Sequence, residues 1–279
     1  MRNYMLRRRG LGRQSCNAIS QFSTAGIWVV RNDYMGVISA GDLVFRWGTT
    51  SNLPDGVRVV NTAYAIHRVN NKRDFRLALA RHRLSPPSWG DLADVTADTR
   101  YPLVVRPSRH AQGVGVHLCH DFSELEKACD LYDEYYISEY IRKDAEYRVM
   151  VICGRVAWVA RKTPGNPEDV AWNVARGGRF DNVRWGDWPL RVCNAAVSAL
   201  ALSGLHFGGV DVMVKDGVPY VLEINSAPSH TSEYRQQCTA RCFNYIIQNG
   251  SAELYLGTLA EDSWRNYIHP AISEQASMP

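Results

Sequence analysis

The sequence predicts an α+β protein with a short N-terminal α/β or β-rich piece. Strand-like apolar runs alternate with amphipathic helical stretches along most of the chain. At 279 residues and 46% hydrophobic, the chain can bury one large core or two to three small ones. The third observation is the stretch GVDVMVKDGVPYVLEIN, a buried hairpin by pattern in which Asp211, Glu223 and Asn225 interrupt apolar neighbours.

Short strands are predicted over 27–30, 43–46 and 57–60, separated by the turn-rich stretches NDYMG and TSNLPDG. From Asn71 the period becomes helical through KRDFRLALARHRL, with Phe75, Leu79 and Ala80 or Leu84 on one face, and SPP stops it. Strands over 101–106 and 114–119 bracket PSRHAQG. Ser123 with Glu126 three residues later reads as a capping box opening a helix to about residue 132. Strands follow over 135–140, 147–153 and 156–161, then a polar segment over 162–188. A helix over 190–203, closed by Gly204, precedes the hairpin, and a last helix spans 233–248.

Lys plus Arg at 32 against Asp plus Glu at 28 leaves a charge of +4, which fits phosphate-bearing ligands without requiring nucleic acid. The seven cysteines are odd in number and form no CxxC pair, so neither a disulfide framework nor a zinc site is expected; Cys238 and Cys242, four apart on a helix, read as packing. The start of the chain is positive but lacks the apolar stretch of a signal peptide, and no run approaches the roughly 18 apolar residues of a membrane span, so a cytoplasmic protein is expected. Arg7, Arg8, Arg9 and Arg13 read as a solvated arm, as a clamp for an acidic substrate, or as a nucleic-acid contact.

Strand alternation puts Val210, Val212 and Val214 on one face of the hairpin with Asp211 and Met213 opposite. In its second strand Tyr220, Leu222 and Ile224 share a face, and Val221, Glu223 and Asn225 the other. A strict two-residue loop at Asp216-Gly217 pairs Asp211 with Leu222 and turns Glu223 away. A three-residue loop or a bulge near Gly217 shifts pairing by one and gathers all three polar side chains, the register expected here. Two carboxylates and an amide oxygen are hard ligands suited to Mg²⁺, which also takes phosphate oxygens. The alternative is a solvated sheet face bearing two isolated acids.

GVDVMVKDGVPYVLEINSAP resembles the metal-binding end of the ATP-grasp ligases. Other segments agree in order: NNKRDF with the helix that opens the first ATP-binding subdomain, PLVVRPSRHAQGVGV with the strand, glycine loop and strand over the triphosphate, YYISEYI with the hinge strand at adenine, and ALALSGLHFGGVD with the helix before the metal strand. ARK and WNVARGGRF are most similar to the RimK-type carboxylate–amine ligases. The resemblance covers about residues 71–229. It implies the ATP-grasp fold, two α/β subdomains sandwiching ATP, divided as residues 1–68 (a truncated substrate domain), 69–141 (with the glycine loop) and 142–279 (with the metal site). It implies two Mg²⁺ ions, with Mn²⁺ as a substitute, on Asp211, Glu223 and Asn225. Lys72, Arg106, Gly113 and Gly115 would lie at the phosphates, Glu139, Tyr140 and Ile141 at adenine, and Glu146 at the ribose. Lys72 as an exposed helix residue and Glu146 paired to Arg148 are the alternatives.

The implied reaction is ATP-dependent formation of an amide or peptide bond through an acylphosphate. The partners would be a carboxylate substrate and an amine acceptor, the latter an amino acid, a peptide or a modified macromolecule. Arg161, Asn173 and Arg176 would grip the acylphosphate and acceptor, and residues 107–115 would close as a lid. A kinase that hands phosphate to a hydroxyl would need the same hairpin, and a nucleic-acid-binding protein with a degenerate nucleotide pocket is the third reading. Two departures from the family stand out: Arg106 replaces the usual strand-ending Lys, and only about 65 residues precede the helix at Asn71.

Overall fold

The computed structural model describes residues 1–108, 115–166, 172, 177–250 and 263–273. Its first element is a strand that the sequence pattern hides. β1 (Asn3–Arg7) lies between β2 (Ile27–Arg31) and β3 (Leu43–Trp47), and β4 (Arg58–Val60) adds beyond β3, giving a parallel sheet of order β2-β1-β3-β4. Tyr4, Met5 and Leu6 are buried at its centre, and Arg7 is only 8% exposed. The solvated-arm reading is corrected for Arg7 alone: the apolar triplet beside the arginine run drives residues 3–7 into the sheet, while Arg8, Arg9 and Arg13 are exposed. α1 (Arg13–Phe22), also not predicted, packs beside it.

α2 (Ala63–Asn70) and α3 (Lys72–Arg81) follow directly. The Thr62 hydroxyl accepts from Ala65 N at 3.1 Å, and the Asn71 side chain from Asp74 N at 3.2 Å, so one asparagine ends α2 and caps α3. The second sheet is antiparallel, of order β5-β8-β6-β7, formed by β5 (Ser88–Trp89), β6 (Leu103–Pro107), β7 (His117–Cys119) and β8 (Tyr135–Glu139). α4 (Phe122–Cys129) covers its Leu103, Val105 and Ile137 face. The cap of α4 is Asp121 rather than Ser123: its carboxylate accepts from Glu124 N at 2.8 Å, and Glu124 reaches back to His120 N at 2.7 Å. The earlier start brings Leu125, Ala128 and Cys129 onto the buried face.

The third sheet is antiparallel, of order β11-β10-β9-β12-β13: β9 (Ala145–Ile152), β10 (Arg155–Thr163), β11 (Arg179–Val183), β12 (Phe207–Lys215) and β13 (Val218–Asn225). β11 lies within the segment read as a polar connection, and pairs with β10 from Val159↔Val183 to Thr163↔Arg179. α5 (Leu190–Ser203), ended by Gly204, covers one face of this sheet, and α6 (Glu233–Asn249) packs on β10 and α1. A short α7 (Pro270–Ser273) lies against α6. Phe45 stacks on Phe243 at 4.3 Å and Phe207 lies 5.1 Å from Phe243, so one aromatic cluster joins the parallel sheet to β12 and α6. Each such fully buried ring contributes about 1.5–3 kcal/mol.

His230 sits at this junction, 2% exposed, its backbone N–H donating to Ser15 Oγ at 2.9 Å. Its Nδ1 is 2.9 Å from the Pro228 carbonyl, which can only accept, so Nε2 faces the Thr239 hydroxyl, also at 2.9 Å, as a lone pair. Burial, reinforced by Arg235 and Arg148, pushes its pKa down to about 3, and burial does the same to His269. The unfolded chain, with imidazoles near their ordinary value of about 6.5, then binds more protons than the folded one between that value and the folded pKa. Stability is expected to hold at pH 7–8 and to fall as pH drops below about 6.5, by up to about 1.4 kcal/mol per pH unit for each histidine. Urea midpoints between pH 8 and 4.5 check this. His230→Asn should roughly halve the slope, and a flat profile would contradict the buried neutral state.

Candidate active site

The β12–β13 hairpin turns through Asp216 and Gly217, both at positive φ (49° and 75°), as a two-residue type I′ turn requires. Lys215 pairs with Val218 and Val212 with Val221. A bulge at Leu222 then sets Asp211 opposite Glu223 and Gly209 opposite Asn225. The three polar residues do share a face, but the bulge is at Leu222 and not near Gly217. It also reassigns Val221, which joins Ile224 in the core because the extra residue reverses the alternation between Val221 and Glu223. Arg76 and Leu84 fix the bulge: Arg76 donates from Nη1 to the Val221 carbonyl at 3.1 Å and from Nη2 to the Leu222 carbonyl, while Leu84 O accepts from Val221 N at 2.6 Å.

Asp211 is 2% exposed. Arg148, directly across on β9, donates Nε and Nη2 to its two oxygens at 2.6 and 2.7 Å, and Lys162 on β10 approaches at 3.2 Å. Burial alone would raise the Asp211 carboxyl, but Arg148 and Lys162 outweigh it and hold it below the usual range. Lys162 also pairs with Glu146, which takes a second ammonium from Lys143 at 2.5 Å. Glu146 is thus bound to two lysines rather than to Arg148, and a ribose contact would require one of those pairs to open. Lys72, at the start of α3, pairs with Glu223, whose other oxygen accepts from Asn225 Nδ2 at 3.0 Å. Burial and Asp211 push the Glu223 pKa up, and Lys72 with Asn225 brings it below its ordinary value.

Arg106 stands on the face of β6 opposite Val105, beside Tyr136, and its charge is felt at Arg76 and Lys143. Its Nε is buried without a hydrogen-bond partner among the described residues, a donor that a phosphate oxygen would satisfy. Trp172, whose Nε1 is buried and likewise unpartnered there, lies with its ring 4.6 Å from Lys143 Nζ. Lys72, Arg76, Arg106, Lys143, Arg148 and Lys162 outnumber Asp211, Glu146 and Glu223 two to one, the imbalance a polyphosphate with its metal would neutralise. Among the described residues no three His, Cys, Asp or Glu side chains gather, so the oxygen donors for a cation are the two carboxylates and the Asn225 amide. These residues fit a magnesium–nucleotide pair.

Gly115 has φ 74°, and a Cβ there would come within 2.8 Å of Tyr132 Oη and 3.1 Å of Pro107, so no larger residue fits where the glycine loop rejoins the sheet. Glu139 ends β8, and Tyr140 and Ile141 follow at partly exposed positions between the second and third sheets, with Tyr140 N donating to Pro102 O at 3.1 Å. Arg161 is not brought to the site. It pairs with Tyr147 and Asp181, is exposed, and lies on the sheet face opposite Lys162, since adjacent strand residues point to opposite sides. Gly113, Asn173 and Arg176 lie outside the described residues.

Arg148, Lys162, Lys143 and Arg76 also face this cluster, and the sequence reading does not anticipate them. The alternation applied to the hairpin carries the signal for two of them: Glu146 and Arg148 on β9 and Lys162 on β10 fall on the face of Asp211.

The D-alanine–D-alanine ligase from Bacillus anthracis superposes on this fold with a TM-score of 0.63, covering 90% of this chain and 97% of that one at 18% identity. A RiPP-associated ATP-grasp ligase from Chryseobacterium gregarium, solved with ADP and a leader and core peptide, gives 0.65 over 92% and 100% at 12% identity. A probable alpha-L-glutamate ligase of Aeromonas salmonicida (strain A449) is 30% identical over 182 residues, 61% of this chain and 60% of its own length, and one of Methanococcoides burtonii is 30% identical over 190 residues, 62% and 60%. The chain thus spans about 60% of the length of the curated relatives it matches. No helix among the described residues is long and apolar enough to cross a membrane. Residues 88–241, more than half of the chain, match the RimK-like ATP-grasp domain, and the protein belongs to that family.

Proposed function

We propose that this protein is an ATP-dependent carboxylate–amine ligase working through an acylphosphate. The observation that carries the reading is the Asp211–Glu223–Asn225 face set among an excess of buried cations in a RimK-like domain. In the reaction, a substrate carboxylate oxygen attacks the γ-phosphorus of ATP and ADP leaves. A neutral amine then attacks the acyl carbon, phosphate departs with the C–O electron pair, and the amine proton is released as the amide forms. Lys72 and Arg106 hold phosphate oxygens, with Gly113 and Gly115 permitting close backbone approach; Glu139, Tyr140 and Ile141 border the adenine. Arg148 and Lys162 keep Asp211 ionised and oriented, ready to bind a cation. Mg²⁺, as two ions or with Mn²⁺ in its place, would be held by Asp211, Glu223 and Asn225 and would offset charge on the transferring phosphoryl group. Residues 1–68, 69–141 and 142–279 serve as substrate, glycine-loop and metal portions in this reading, Asn173 and Arg176 stay with the acceptor, and seven buried free thiols agree with a cytosolic setting.

Purified protein with ATP, Mg²⁺ and a panel of amino acids and dipeptides, with and without hydroxylamine, tests the proposal. ADP release with an amide or hydroxamate product is expected. A phosphorylated hydroxyl product would move the protein to the kinases, and no acyl product with any acid would refute the ligase reading. Arg106→Ala should weaken ATP binding at least about tenfold, while Arg106→Lys retains part of it, because a guanidinium–phosphate contact exceeds a point charge of the same sign. Normal ATP affinity in Arg106→Ala would remove that residue from the phosphates.

A further inference from the structure

The arginines of the N-terminal segment take no part in these roles. β1 and β3 are neighbours, but the chain leaves β1 toward β2 on one side and β3 toward β4 on the other, so their connections diverge beyond Arg7 and Arg46. Such a reversal of strand order in a parallel sheet opens a crevice at the carboxyl ends of the strands. Buried arginines flank it on both faces. Arg7 lies beside Trp47 on the α1 face, and its charge is felt at Cys16 near the start of that helix. Its Nε is buried without a partner among the described residues, and its one polar contact there is from Nη1 to the Arg8 carbonyl at 3.4 Å. Arg46, 5% exposed, lies on the other face, where Nη1 donates to the Ser51 and Thr49 carbonyls at 2.6 and 3.4 Å and Nε again has no partner. Burial disfavours its charge. The exposed Arg8, Arg9 and Arg13 follow in the loop after β1 and at the start of α1. That helix opens at Gly12, φ 69°, where a Cβ would come within 2.5 Å of the Trp47 ring, so no side chain caps it. The loops leaving the strand ends, residues 8–12, 32–34, 48–52 and 61–62, hold one acid, Asp33, and Arg31 already grips it at 2.9 and 3.0 Å. Among the described residues no carboxylate contacts the other five arginines, and what such a crevice lacks is an anion.

We propose that this crevice binds a phosphate monoester carried by the carboxylate substrate, with Arg7 and Arg46 as its buried contacts and Arg8, Arg9 and Arg13 at its rim. The inference rests on the ligase reading and gives the acidic substrate of the N-terminal arginines a chemical class. A phosphate monoester brings a charge of about −1.5 to −2 and three acceptor oxygens to the orphaned donors and the first N–H groups of α1; a carboxylate brings about half that charge. Burial of Arg7 and Arg46 favours a small terminal group over the backbone of a nucleic acid. The crevice also adjoins the cation face. A Cβ on Gly48, at the end of β3, would meet Ala227 Cβ at 2.7 Å and Leu11 Cδ2 at 3.2 Å, and Ser15 Oγ accepts from His230 N at 2.9 Å. Ala227 stands two residues beyond Asn225, no more than about 7 Å of chain. A small acid anchored here by its phosphate therefore presents its carboxylate on the side of Asn225, where the γ-phosphate of ATP is held in the ligase reading.

The test starts with binding. The full chain, with Mg²⁺ and a non-hydrolysable ATP analogue filling the triphosphate contacts, is titrated calorimetrically with phenyl phosphate, benzoate and a dinucleoside monophosphate. Wild type should bind phenyl phosphate at least about tenfold more tightly than the carboxylate or the diester. Arg7→Met should lose about tenfold of that affinity and Arg7→Lys should keep part of it, while the exposed pair Arg8→Gln/Arg9→Gln, which leaves the core untouched, should lose a smaller share. Hydroxamate formation with hydroxylamine then compares 3-phosphoglycerate with glycerate and succinate, and the phosphorylated acid should hold an advantage in KM that Arg7→Met removes. No binding of phenyl phosphate by the wild type, unchanged binding in folded Arg7→Met, or tighter binding of the diester overturns the site. Equal use of 3-phosphoglycerate and either other acid, with phosphate binding intact, makes it a site for free anions and overturns the substrate class. Absence of hydroxamate from these acids and from the amino acids and dipeptides above, with phosphate binding retained, is the separate failure of the ligase reading.

Discussion

Glu223→Gln should reduce turnover by two to three orders of magnitude while leaving the fold in place. The change keeps the size of the side chain, its place opposite Asp211 and its contact with Asn225, and removes one negative charge from the cation-binding face. Losing a carboxylate that neutralises charge on a transferring phosphoryl group costs about 3–4 kcal/mol in the barrier. Because Lys72 also loses its counter-charge, nucleotide affinity measured without divalent cation should hold or rise, whereas its enhancement by Mg²⁺ should disappear. Wild-type turnover in the variant would remove Glu223 from the site.

The second large effect concerns stability. Arg148→Met leaves Asp211 buried with Lys162 as its remaining cation, at 3.2 Å. Removing one partner of a buried ion pair strands the other, at a cost of about 3–5 kcal/mol, while replacing both is often close to neutral. The single variant should therefore lower the urea midpoint strongly at neutral pH, and Arg148→Met/Asp211→Asn should recover more than half of the loss. Asp211 has a depressed carboxyl in the fold, so the stability it contributes is present above its ordinary value of about 3.9 and is lost only as pH falls through the folded value. The deficit of the single variant should thus persist across the range in which the histidines act. If the double variant is no more stable than the single one, the pair is not the source of the loss.

Where the governing signal is local, the sequence was a sufficient guide. α5 begins and ends where its periodicity and the Gly204 stop place it, and the first-strand alternation around Asp211 follows from side-chain period alone. The bulge was legible only as a necessity, because its position is set by Arg76, 146 residues from Leu222 in the chain. β1 was lost in an arginine run whose neighbouring triplet Tyr4-Met5-Leu6 is too short to register as a period. Arg161 was misplaced for the opposite reason: a motif names residues without regard to side, and one step along β10 separates the exposed Arg161 from the buried Lys162.

The anchoring of α3 bears on how the cleft can move. On successive turns of that helix, Arg73 donates to the Gly90 carbonyl at 3.0 Å on the side of the second sheet, and Arg76 holds the β13 bulge on the side of the third. Both chain crossings lie nearby: Leu84 O is bonded to Val221 and Pro87 O to Glu139, while Tyr140 N is bonded to Pro102 and Asp144 N to Val214. The two sheets are therefore bound like the covers of a book, with α3 along the spine. Opening the covers about that spine would displace Lys72 least and Gly115 most, so in the proposed ligase the outer phosphate contacts would loosen first and the nucleotide would pass by the free edge.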